Sequence, residues 1–249
     1  MLKKRVLGNF VITVMLIVAV MVSCNTHLQF EPEMVLVEGG TFMMGQDGDE
    51  RTSPVHQVTL SNFKIGKYPV TQGQWVAVMG NNSSHFQKGD DYPVENVSWI
   101  DVQDFITKLN QLTSKKYRLP TKAEWEYAAR GGNKSKGYIY SGSNNINEVA
   151  WYYGNNKPYS PYGTKTVGTK APNELGIYDM TGNVCEMCND WYGHYSVEAQ
   201  VNPMGPSEGT DRVVHGCGWY YLPVYSHIAM RIYLSDSPNS IKGFRLVLP

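Results

Sequence analysis

The chain has 249 residues, with 22 basic and 22 acidic side chains, and therefore a formal net charge of zero at neutral pH. That balance leaves no basic field to hold nucleic acid and no long single-sign run. The 24 glycines and 17 tyrosines, set among few apolar periodic stretches, point to a loop-rich fold of short strands and a few helices, long enough to bury a core without disulfide staples.

The N-terminus reads as a targeting segment. Lys3, Lys4 and Arg5 precede an almost wholly apolar run from Phe10 to Val22, and Ser23-Cys24 follows. A short apolar run after a basic start is a secretory signal rather than a fold element, and it is short for a spanning helix. An uncleaved anchor is the other reading. The small residue directly before a cysteine resembles the lipobox of bacterial lipoproteins. That resemblance implies lipidation at Cys24, export, and tethering at the outer membrane or cell surface. The organisation is then a signal peptide over 1–23, a linker over 24–33 and a domain over 34–249.

Within the domain, Val35-Leu36-Val37 and Thr41-Phe42-Met43-Met44-Gly45 suggest a hairpin around Glu38-Gly39-Gly40. Val55 to Leu60 alternates as a strand, and Phe63 to Val70 is a second strand containing Pro69 near its end. Thr71 caps a short helix carrying Trp75, Val78 and Met79, and Gly80 stops it. Ser98 caps the clearest helix, with Val102, Phe105, Ile106, Leu109 and Leu112 at core-facing spacing. Thr121 and Glu124 form a capping box before Trp125, Ala128 and Ala129. From Asn133 to Asn173 the chain is loop-like, and it shows no internal repeat.

The last forty residues keep a frame: Arg212-Val213-Val214, Gly216, Trp219, Arg231 and Gly243-Phe244-Arg245-Leu246-Val247. Between Trp219 and Arg231 the sequence has no helical or strand period, yet it is rich in large apolar side chains. An aromatic, aliphatic loop on a rigid frame suits a binding face, because tyrosine gives large contact area for little conformational entropy. The candidate ligand contacts are Tyr220, Tyr221, Leu222, Val224, Tyr225, Ser226, His227, Ile228, Tyr233, Leu234, Ser235, Asp236 and Ser240. The plainer reading is that Tyr220, Leu222 and Val224 belong to the core. Ser226 beside His227 is a weak nucleophile-base pair, since neighbours in sequence rarely face one another and no orienting acid is evident.

The punctuation resembles the formylglycine-generating, sulfatase-modifying family. The matching pieces are Val37-Glu38-Gly39-Gly40-Thr41-Phe42-Met43-Met44-Gly45, Tyr68-Pro69-Val70-Thr71, Pro93 to Trp99, Arg118 to Gly132, Asn173 to Val184 and Gly243 to Val247, in order. The resemblance implies an α+β, elaborated C-type-lectin-like fold, not the enzyme's activity. The family's two catalytic cysteines correspond here to Tyr221 and Ser226, and neither replaces a soft sulfur donor. Neither copper nor formylglycine-generating activity is therefore expected. The six histidines, His27, His56, His85, His194, His215 and His227, are scattered, which argues against the related iron-dependent sulfoxide synthases. The family's first calcium site is broken at Val149 and Tyr159. Its second implies one structural calcium ion on Asp179 and Glu186 with the carbonyls of Gly182 and Val184; turn hydrogen bonds are the alternative role for those carboxylates.

From Val213 to Ile241 there is no Lys, Glu or Gln. The residues present, Trp219 and Met230 apart, are those an Asn codon yields when its two adenines vary. The stretch 212–247 thus resembles the variable region of proteins diversified by an adenine-mutagenising retroelement, such as treponemal variable lipoproteins. Cys185 and Cys188 form a C-x-x-C, a redox pair or half a zinc site, and Cys217 could join either of them or all three could stay unpaired. The reading from sequence is a non-catalytic, lipid-anchored protein that binds a protein or peptide ligand through its C-terminal face. A divergent oxidase and a structural envelope lipoprotein are the rivals.

Overall fold

The computed structural model describes residues 30–156, 162–234 and 237–249. The leader with Cys24, together with Tyr159, Ser235 and Asp236, lies outside the described residues, as does the side chain of Leu234. Residues Pro32–Pro249 pack as one unit. No helix among the described residues is long and apolar enough to cross a membrane.

The fold opens with β1 (Met34–Val37), β2 (Gly40–Met44), β3 (His56–Leu60) and β4 (Phe63–Gly66). The first two are not the hairpin their spacing suggests. β1 pairs antiparallel with β4, Val35 opposite Ile65, while β2 pairs antiparallel with β3, Phe42 opposite Val58. The chain changes sheet at two links that lie against each other. Gly39 donates its N–H to Asn62 Oδ1 at 2.7 Å, and a Cβ on Gly39 would stand 2.4 Å from the Leu60 carbonyl oxygen. Only glycine fits so close a backbone approach. The second strand is also shorter than expected, ending at Gly66, and β1 through β4 form the cores of two separate sheets.

Three helices sit where their caps place them. α1 (Gln72–Met79), α2 (Trp99–Thr113) and α3 (Lys122–Ala129) begin after Thr71, Ser98 and Thr121, each with both halves of a capping box. On α2 the buried stripe is Val102, Phe105, Ile106 and Leu109. Leu112 is 46% exposed, so the stripe stops one turn before the helix does. α3 is buried along its whole length and packs across the centre of the molecule. Among the described residues of the 133–173 region, expected to be loop, Asn145 caps a short helix, α4 (Ile146–Val149).

The C-terminal half builds β5 (Cys185–Trp191), β6 (Gln200–Val201), β7 (Arg212–His215), β8 (Arg231–Leu234), β9 (Lys242–Gly243) and β10 (Val247–Leu248). β8-β7-β5-β9 form a four-stranded sheet, β6 extends β2-β3, and β10 completes β1-β4. The final strand therefore closes onto the first part of the chain, and Arg118 exchanges two backbone hydrogen bonds with Val247 at 3.0 and 2.8 Å. The main core joins Val37, Ile65, Trp125, Met180, Cys188 and Val247.

A candidate binding face on a buried frame

Each frame residue has a partner that fixes it. Arg231 is 1% exposed; its Nε donates to the Arg51 carbonyl at 2.6 Å and its Nη1 to the Gly193 carbonyl at 2.5 Å. Its guanidinium lies over the rings of Tyr195 and Tyr192, at 4.1 and 4.5 Å. Trp219 donates its indole N–H to the Ser240 carbonyl at 3.1 Å and meets the edges of Phe86 and Tyr162. Arg212 lies over Trp191 at 3.3 Å and Trp99 at 4.2 Å, with Nη1 on the Asn189 carbonyl. Phe244 is fully buried against Trp75 and Phe105.

The loop backbone is held by main-chain bonds. Tyr221 N–H donates to Gly218, Tyr225 N–H to Leu222, and Ser226 N–H to Pro223, all at 3.0 Å. A single 3-10 turn, Pro223–Tyr225, results. Two bonds tie the loop to segments far away in sequence: Tyr153 N–H to the Tyr221 carbonyl and Ile228 N–H to the Ile139 carbonyl, both at 3.0 Å.

The side chains divide by position. Tyr220, Leu222, Val224 and Tyr233 are 55, 50, 61 and 57% exposed, so Tyr220, Leu222 and Val224 are not core residues. Tyr221, Tyr225, His227 and Ser240 are half-buried. Two candidate contacts face inward instead. Ser226 is 1% exposed, closes the 3-10 turn and donates its hydroxyl to the Leu222 carbonyl at 3.3 Å. Ile228 is 3% exposed and joins the main core, because its backbone bond to Ile139 draws this part of the loop down. Leu234 places its backbone in β8 opposite Arg212.

Sequence reading missed the rest of the face, which comes from three distant segments. Tyr153 meets the edge of Tyr220 at 6.0 Å, and Tyr192 meets Tyr233 at 4.9 Å. Arg51 sits 5.6 Å from the Tyr225 ring, itself in edge contact with Tyr221. Asp49 orients Arg51 through bonds of 2.6 and 2.9 Å, and these hold its own carboxyl down at about 2. Three ring contacts thus flank the loop: Tyr153 with Tyr220, Tyr221 with Tyr225 beside Arg51, and Tyr192 with Tyr233. No periodic signal could have joined these loop positions to residues 220–233.

The arrangement lacks a catalytic pair at Ser226 and His227. The serine hydroxyl is spent on a backbone carbonyl, and among the described residues His227 Nδ1 has no hydrogen-bond partner. Burial lowers the His227 pKa. At the family's other cysteine position, burial pushes the Tyr221 phenol up, so it stays protonated.

The calcium expectation meets a different arrangement. Glu186 Oε1 accepts Arg245 Nη2 at 2.6 Å, and Oε2 accepts Arg245 Nε at 2.5 Å and the Trp125 indole at 2.6 Å. Arg245 and Glu186 are both fully buried. Asp179 accepts the Gly168 N–H at 2.7 Å, and burial raises its carboxyl to about 6. Gly182 and Val184 lie between the two carboxylates, but Glu186 is committed to a guanidinium and an indole rather than open to a cation. Of the four residues expected to hold calcium, Asp179, Gly182, Val184 and Glu186, only Glu186 joins the buried ion pair, and Asp179 accepts hydrogen bonds from Gly168 N–H and the Asn183 amide. Of the first calcium site, Val149 is a buried core side chain.

Comparison with known proteins bears on the family and the fold. The profile of the Sulfatase-modifying factor enzyme 1-like domain matches residues 22–249. The chain is 39% identical over 250 residues to the chaperone protein LppX of Paenibacillus barcinonensis, covering 81% of this chain and 84% of that protein. It is 34% identical over 192 residues to the formylglycine-generating enzyme of Mus musculus, covering 71% of this chain and 49% of the enzyme. Among solved structures, Treponema denticola variable protein 1 superposes with a TM-score of 0.80 at 30% identity, over 86% of this chain and 94% of that one. The fold is the α+β, C-type-lectin-like fold of these proteins, and the chain belongs to the sulfatase-modifying factor enzyme 1-like family.

Proposed function

We propose that this protein is a non-catalytic, exported lipoprotein that binds a protein or peptide ligand through the aromatic face around residues 220–233, and that the side chains of this face are diversified by a retroelement. The observation that carries the reading is the split between frame and face. Trp219, Met230 and Arg231 are buried, while Tyr220, Leu222, Val224 and Tyr233 project from a backbone tied down by main-chain bonds. Large exposed apolar groups clustered on a rigid support are characteristic of interaction sites. The similarity to a treponemal variable protein supports the diversified reading, and Tyr221 and Ser226 at the family's thiol positions support loss of oxidase chemistry.

The test is comparative and direct. Sibling genes should differ at Asn-type codons within 212–247 and hardly elsewhere, beside a reverse transcriptase and a near-copy of that stretch. Differences spread evenly over the chain would remove the diversification. Turnover of a cysteine-containing sulfatase peptide by the copper-loaded protein would overturn the non-catalytic reading.

A second reading is favoured by one observation, the 39% identical relative named a chaperone protein. On it, the same face holds non-native segments of many clients. Suppression of aggregation of an unfolded model client, abolished by Val224→Asp, would favour that role. Saturable binding of one folded ligand would favour the first.

A further inference from the structure

Three cysteines lie in the described domain, and Cys185, Cys188 and Cys217 are all fully buried. Successive residues of a strand point to opposite faces, so Cys185 and Cys188, three apart on β5, face opposite sides of the sheet. Cys188 belongs to the main core with Val213, Ile228 and Tyr195. Cys185 faces the root of the binding loop. There the chain leaving β7 turns through Gly216 and Cys217, with φ of 81° and 41°, and returns beside β5. Gly218 donates its N–H to Cys185 Sγ at 2.9 Å, and Trp219 donates its N–H to the Asn183 carbonyl at 2.9 Å. Cys217 thereby lies beside Cys185, and burial together with the neighbouring Cys217 thiol pushes the Cys185 pKa well up. A left-handed φ is uncommon for a residue with a Cβ, and at Cys217 it accompanies delivery of the side chain to the neighbouring sulfur.

We propose that Cys185 and Cys217 form a disulfide that ties β5 to the root of the 219–230 loop, with Cys188 left as a free thiol. The two thiols lose two protons and two electrons as the S–S bond forms. A disulfide oxidant, such as oxidised glutathione or an oxidoreductase of an exporting compartment, takes the electrons and leaves as two thiols, through a mixed-disulfide intermediate. Because both sulfurs are enclosed in the folded domain, the exchange takes place before the loop root docks or while it is open. The bond fixes the frame and does not depend on which ligand the face takes.

The experiment is oxidative refolding of the full-length protein in a mixture of reduced and oxidised glutathione, followed by denaturation in an alkylating agent and peptide mass mapping. The expected product is a linked Cys185–Cys217 peptide pair, 2 Da lighter than the separate thiol peptides by the loss of two hydrogens, with Cys188 alkylated. Adding reductant should lower Tm by roughly 10 °C. Cys217→Ser should abolish that dependence, and Cys188→Ser should retain it. Alkylation of all three domain cysteines after oxidative refolding, or linkage through Cys188, would overturn the proposal. The mapping of the unsubstituted protein decides the matter even where a variant fails to fold.

Discussion

Substituting Arg245 by methionine tests what holds the two halves of the fold together. Arg245 is fully buried, meets both oxygens of Glu186, and also donates to the carbonyls of Gly66 at 2.8 Å and Tyr178 at 2.9 Å. Methionine fills most of the volume but leaves Glu186 as a buried charge served by the Trp125 indole, with two carbonyls stripped of donors. Breaking a buried pair from one side typically costs about 3–5 kcal/mol. In a domain of this size each kcal/mol moves Tm by about 2–4 °C, so a fall of roughly 10–15 °C is expected. Circular dichroism melts of the wild type, Arg245→Met, and Arg245→Met with Glu186→Gln are the assay. Glutamine removes the stranded charge yet keeps an acceptor for Trp125, so the double variant should recover a third or more of the loss. A fall under 3 °C in the single variant, or no recovery in the double, would refute the assignment of Arg245 as the counter-charge of Glu186.

Other substitutions read other parts of the molecule. Tyr220→Ala and Val224→Ala should leave stability within about 0.5 kcal/mol of wild type, whereas Ile228→Ala should cost about 2–5 kcal/mol in denaturant melts; similar losses at all three positions would contradict the division into face and frame. Once a ligand is in hand, truncating a central aromatic such as Tyr220 should weaken binding by about 2 kcal/mol, measured by calorimetry. Burial raises the Glu95 carboxyl from 4.5 to about 7, against the opposing Phe86 N–H bond. The folded state then keeps a proton that the unfolded chain releases, so this group's contribution falls as pH rises from about 4.5 to 7. Glu95→Gln should therefore match wild type near pH 4.5 and gain up to about 3 kcal/mol above pH 7, at about 1.4 kcal/mol per unit; a gain that shrinks with rising pH would refute the sign. Excess EDTA should leave Tm unchanged, while a structural calcium at 100 times its Kd would add about 2.7 kcal/mol, so a clear drop on chelation would restore calcium to residues 179–186.

The three longer helices were legible because their signals are local, whereas the four-residue α4 was too short to show a period. Thr71, Ser98 and Thr121 each find a partner three residues on, and a capping box needs nothing from the rest of the fold. Strand pairing was not legible in the same way. Residues 35–37 and 41–45 alternate well enough for a hairpin, but the choice was made by Asn62 and the Leu60 carbonyl crowding Gly39, more than twenty positions away. The exposure of Tyr220, Leu222 and Val224 on the 219–230 loop was legible from its frame and composition. Its inward positions, Ser226 and Ile228, were hidden because an aperiodic stretch gives no phase from which to infer direction. Arg51, Tyr153 and Tyr192 were invisible for a related reason: only the folded chain brings them beside residues 220–233.

The bond from Tyr153 to the Tyr221 carbonyl, like that from Ile228 to the Ile139 carbonyl, engages peptide groups alone. Every residue except proline carries the same peptide N–H and carbonyl. Exchanging Tyr220, Leu222 or Val224 for other types therefore leaves the anchoring of the segment intact, and each new combination starts from an already folded protein. Under the proposed diversification, selection then acts on recognition without first having to repair the scaffold.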